Sequence, residues 1–165
     1  MSTTSFDLFY TRFFNKVEKD ADFFDYYNHT GEESMEIAKQ RAENYLIEAV
    51  DELKTKCETT VNFYDMDMEN KCFNFKAYSN EIEIISRIMF KIYLERDIAL
   101  MKPIVNSLSA TDIKALFSPA ADRKTFDEML KRYESKTDTM ISQYIARDRE
   151  TGKRRTIQYE SWVVR

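Results

Sequence analysis

Two glycines (Gly31, Gly152) and two prolines (Pro103, Pro119) punctuate all 165 residues. Average usage would put these residue types at about 12% combined. A sheet-rich fold needs many tight turns, and this chain lacks the residues that build them. The expectation is an all-α fold: a small helical bundle of about four to five helices. A hydrophobic share of 43% against 33% charge is a globular balance, which excludes disorder throughout. The length suits one compact domain.

Apolar spacing places the helices. Phe6, Phe9, Phe13 and Val17 recur at helical intervals over about 5–18, and core packing accounts for them better than a membrane surface does. Such a surface helix would carry Lys/Arg along its polar face, whereas Asp7, Arg12, Asn15 and Lys16 are mixed. Thr30 with Glu33 spells a capping box, and Met35, Ala38, Ala42, Tyr45, Leu46, Ala49, Leu53 and Cys57 follow as a stripe. Residues 58–78 show no helical period and read as a long anchored loop with one irregular extended piece. Ser79 or Asn80 caps a helix from Glu81 to about Met101 that is apolar over more than half its girth, which suits a central position. Pro103 ends it. A short helical turn is expected near 112–117, then a loop through Ser118-Pro-Ala-Ala. Thr125-Phe-Asp-Glu128 spells a second capping box, opening a last helix to about residue 146.

The end of the chain differs in kind. Residues 147–165 hold six Lys/Arg against three Asp/Glu, a local +3, while the first 146 hold 19 against 26, or −7. This basic end is rich in β-prone and aromatic residues: Ile157, Tyr159, Trp162, Val163 and Val164. A lone strand cannot satisfy its own backbone groups, so such an end is either disordered or meant for a partner's sheet edge. Trp and Tyr beside Arg is the composition of interface anchors. The domain division is therefore a helical body over 1–147 and an extended, β-prone docking tail over 148–165. Arg154, Arg155, Ile157, Tyr159, Trp162 and Val163 are the candidate partner-binding residues.

Catalytic chemistry finds little to stand on. Phosphate-cradling loops need clustered glycines, and two isolated ones cannot form them. Structural zinc needs about four Cys/His ligands, and the chain offers Cys57, Cys72 and His29. With no signal-peptide pattern at the N-terminus, the two cysteines read as buried free thiols in a reducing compartment. His29 reads as a solvated loop residue rather than a base. The acidic run Asp65-Met-Asp-Met-Glu-Asn70 fails as an EF-hand, with Asn70 where glycine and Lys76 where glutamate should stand. A metal-assisted hydrolase built on Asp65–Glu69 is the weakest of the alternatives. No apolar run approaches the roughly 20 residues of a membrane span. The expectation is no enzyme, no cofactor, no metal and no membrane.

The succession of elements resembles a known family. A Phe/Leu/Tyr-rich first helix (Phe6 to Val17) precedes a long helix bearing Tyr45-Leu-Ile-Glu-Ala-Val-Asp-Glu-Leu-Lys-Thr-Lys-Cys57. A loop with Phe73-Asn-Phe75 follows, then Ser79-Asn-Glu-Ile-Glu-Ile-Ile-Ser-Arg-Ile-Met-Phe-Lys-Ile-Tyr-Leu94, then Ala121 to Tyr133 and a last helix. Over about 5–147 this resembles the head–tail connector (neck or adaptor) proteins of tailed bacteriophages. The longer 58–78 loop and the basic, Trp-containing end depart from that pattern. The resemblance implies a structural virion protein of the neck, assembled in the host cytoplasm. It implies a ring, twelve-fold by analogy, that extends the DNA channel below the portal protein and docks the next tail or neck ring protein. DNA would pass through without sequence-specific binding. The alternative is a cytosolic helical adaptor or regulator that binds a protein partner through the same C-terminal strand.

Overall fold

The computed structural model describes residues 3–18, 23–98 and 119–155, with side chains for all of these except 97–98 and 119–126. The described chain is mostly helical and carries a small three-stranded sheet. Strand β1 (Thr4–Ser5) leads into helix α1 (Asp7–Val17), and α2 spans Gly31–Lys56. Strands β2 (Met66–Asp67) and β3 (Cys72–Phe73) precede α3 (Ser79–Tyr93), which widens into a π-helical turn over Leu94–Ile98. Helix α4 covers Pro119–Ile145.

The sheet corrects the all-α expectation. β3 lies in the middle, with Thr4 opposite Phe73 on one side and Met66 opposite Phe73 on the other, both pairings antiparallel. Its strands are two residues long, so the turn before β3 is managed without glycine; Lys71 takes the left-handed conformation at φ 51°. The sheet gives the 58–78 segment its anchorage. Phe73 is fully buried, with its ring against those of Phe6 (5.0 Å), Phe9 (5.1 Å) and Phe63 (5.8 Å).

α3 is the central helix, packing against α1, α2 and α4. Ile84, Ile85, Ile88, Met89, Ile92 and Tyr93 are buried on it, which its apolar girth foretold. On α2, which packs against it, Ala38, Ala42 and Ala49 are fully buried, with Tyr45, Leu46 and Leu53. The α2 start is as expected: Glu33 N donates to Thr30 Oγ1 (3.3 Å), and Thr30 N donates to the Glu33 carboxylate (2.8 Å). Met35, expected on the apolar stripe, is exposed.

Two helix starts differ from expectation. α3 begins two residues before the expected Glu81, so Ser79 is already helical and Tyr78 is the capping residue. α4 begins at Pro119, which places Thr125 and Glu128 inside the helix rather than at its entrance. Proline at a first helical position loses no hydrogen bond, and Ala120 and Ala121 favour the helix that follows. The turn expected near 112–117 and the stop at Pro103 lie outside the described residues.

Ion pairs bind the helices laterally. Lys91, nearly buried, reaches Glu52 at 2.9 Å and Glu134 at 3.5 Å, joining α3 to α2 and α4. Lys56 meets Asp138 at 2.7 Å, and Lys16 on α1 meets Glu83 on α3 at 2.8 Å.

Candidate partner-docking site

The chain leaves α4 through a compact return. Arg147 and Arg154 form an antiparallel bridge, and the loop between them is closed by Asp148 N donating to Lys153 O (2.7 Å) and Gly152 N donating to Asp148 O (2.9 Å). Gly152 sits at φ +67°, a conformation that costs glycine nothing and other residues a penalty. The Asp148 carboxylate accepts from Thr151 N (2.8 Å) and Thr151 Oγ1 (2.7 Å), and these bonds hold its pKa below the ordinary value. Arg155 N then donates to Ala146 O at 2.9 Å.

Arg149 fastens this return to the body. Its Nε donates to Glu81 Oε1 at 2.6 Å and one terminal nitrogen to Glu81 Oε2 at 3.0 Å. The same nitrogen donates to the Lys76 carbonyl, and the guanidinium lies 4.5 Å from the centroid of Tyr78. Glu81 is 1% exposed and also accepts from Tyr144 Oη (2.8 Å) and Tyr78 N (2.8 Å). A buried carboxylate needs this many donors, because an unpaired charge there would be strongly unfavourable. Burial, then the bond to Glu81, raises the Tyr144 pKa. Residues 148–155, grouped with the tail by composition, are thus attached to the helical body.

Of the six candidate docking residues, the structure describes two. Arg154 is exposed in its bridge with Arg147. Arg155 is exposed, and its guanidinium donates to Thr60 Oγ1 at 3.1 Å. Ile157, Tyr159, Trp162 and Val163 lie outside the described residues. Sequence reasoning missed Arg149 and Glu81. Glu81, a charge in a run of isoleucines, was the available signal.

The Asp65–Glu69 run is occupied with its own turn. Asp67 Oδ1 accepts from Glu69 N (3.0 Å) and Asn70 N (2.9 Å), and Asp65 Oδ1 accepts from Asn74 Nδ2 (2.8 Å). Among the described residues, no group of three or more His, Cys, Asp or Glu is arranged to hold a metal ion. Cys57 is buried and Cys72 half-buried, both free thiols, and burial raises the Cys57 pKa. His29 is exposed, 3.8 Å from the Glu33 carboxylate. Among the described residues, no helix is long and apolar enough to cross a membrane. No family model, curated protein or solved structure matches this chain.

Proposed function

We propose that this chain is a connector subunit of a tailed-phage neck: a bundle of four to five helices that forms a ring, docks the portal protein through an extended C-terminal tail and presents a platform to the next tail component. The observation that carries this reading is the Arg149–Glu81 clamp. It fixes the point at which the chain continues toward Ile157, Tyr159, Trp162 and Val163. A docking segment gains affinity when its root is held, because less freedom is lost on binding. Apolar, β-prone residues suit strand addition to a portal's sheet edge, and many copies bound at once multiply a modest single affinity. The first 146 residues, at −7, would repel phosphate, which suits a channel that DNA must traverse.

Negative-stain imaging of the purified protein, alone and with a portal, tests this. Rings or decorated portals are expected with the full chain, and loss of decoration with a chain ending at Arg155. A small monomer that ignores the portal would leave the cytosolic adaptor instead. A channel lined mainly by Lys/Arg would also overturn the proposal.

A further inference from the structure

A groove of about 370 Å³ runs between α3 and α4, lined by Arg87, Glu128, Met129, Arg132, Tyr133 and Lys136. The Arg87 guanidinium lies 4.2 Å from the centroid of Tyr133, and its Nε donates to Thr137 Oγ1 at 3.2 Å. The Tyr133 hydroxyl is buried without a hydrogen-bond partner. Lys16, Lys56, Lys71, Lys91, Arg96 and Arg149 all pair with carboxylates. Among the described residues, Arg132 and Lys136 have no such pair, which they share with other exposed cations such as Lys131 and Arg154. The groove therefore offers Arg132 and Lys136, with one carboxylate at Glu128, beside an aromatic and thioether surface, a lining in which cations outnumber anions. Its complement is a carboxylate next to a flexible apolar side chain.

The turn between β2 and β3 carries that combination. Met68 is 41% exposed, and Glu69 beside it is exposed and without an ion-pair partner among the described residues. Asp67 caps the turn and keeps it rigid, so little freedom is lost on docking. Lys71 ties the turn to Glu43 of α2, and none of its residues lines the groove. We propose that the α3–α4 groove receives the Asp67–Asn70 turn of a second copy of this chain, with Met68 against Tyr133 and Met129 and with Glu69 between Arg132 and Lys136. Methionine against an aromatic ring is a favourable and adaptable contact. Two different surfaces meet, so the contact is head-to-tail, the kind that closes into a ring when the rotation allows. This deepens the connector reading by naming the subunit contact, and rests on it for ring closure alone.

The test is charge exchange at exposed positions, read by sedimentation velocity, with circular dichroism to verify folding. Arg132→Glu with Lys136→Glu should weaken self-association about tenfold or more, and Glu69→Lys should do the same. All three substitutions in one chain should restore it. Undiminished association in the reversed variants overturns the contact while leaving the ring reading standing. A wild-type chain that stays monomeric overturns it too, and portal decoration by such monomers would still support the connector reading. Loss of inorganic phosphate binding in R132E/K136E, with association intact, would assign the groove to an anion and overturn the proposal.

Discussion

Arg149 and Glu81, 68 positions apart, meet in a paired hydrogen bond of 2.6 and 3.0 Å at the edge of the core. One partner comes from the turn after the last helix, the other from the first turn of the central helix. Removing one half of a buried pair strands the other. Arg149→Ala is therefore expected to destabilise the protein by about 3 kcal/mol in urea unfolding. The double change Glu81→Gln with Arg149→Met should cost clearly less, because no charge is left stranded. Equal losses in the two variants would show that the ion pair is not what matters there.

The clamp also ties residues 148–155 of the basic end to the helical body. A chain ending at Arg155 should keep its melting temperature close to that of the full chain. A chain ending at Ala146 loses Arg149 and should melt several degrees lower, as a loss of about 3 kcal/mol implies for this size. Thermal melts of the two truncations separate the attached return from whatever follows it.

Phe73 joins the sheet to the helices, so its ring is costly to remove. Phe73→Ala should destabilise by about 3–5 kcal/mol, the range for deleting a buried phenylalanine. Phe73→Leu should recover most of that loss. Chemical denaturation of both variants is the measurement.

Alkaline conditions should find the buried phenols. Burial pushes the Tyr133 pKa up to about 12 from its ordinary 10.0, and burial also raises those of Tyr10 and Tyr144. A raised folded pKa favours the neutral phenol in the native state. The stability Tyr133 contributes is therefore complete below pH 10.0 and lost as pH rises through about 12. Ultraviolet titration should show these phenols ionising last, together with unfolding. Ionisation of every tyrosine near pH 10.0 in a folded chain would contradict this burial.

Acid should find the turns. The Asn70 side-chain amide, with backbone N–H groups, holds Asp67 below its usual 3.8, and Thr151 N–H does the same for Asp148. Their stabilising effect is present above pH 3.8 and is lost as pH falls through the lower folded values. Carboxyl NMR titrations should place both residues below the ordinary 3.8.

What was legible followed from local rules. The Thr30–Glu33 box lies within one turn, so the pattern announces itself, and the apolar girth of 81–94 placed α3 at the centre. The sheet was hidden because its strands, at two residues, are too short to show alternation, and β1 lies far from β3 in sequence. The entrance to α4 was misplaced because Thr125-Phe-Asp-Glu128 is a good box in the wrong place, and Pro119 with two alanines starts the helix first. The Arg149–Glu81 pair leaves only a half-signature, the charge of Glu81 in a run of isoleucines, with nothing local to name its partner. Two charges so distant in sequence reveal their partnership only once α3 and α4 are packed.

Thr4 Oγ1 donates to Phe75 O and accepts from Ala77 N, while Arg149 holds the Lys76 carbonyl between them. The two ends of the described chain are thus tethered to neighbouring links of one short stretch of backbone. A mechanical load applied through both termini would fall first on residues 72–81. It would peel β1 and unhook Arg149 before it strained the contact between α2 and α3. Single-molecule extension should record an early, small yielding event ahead of the main rupture.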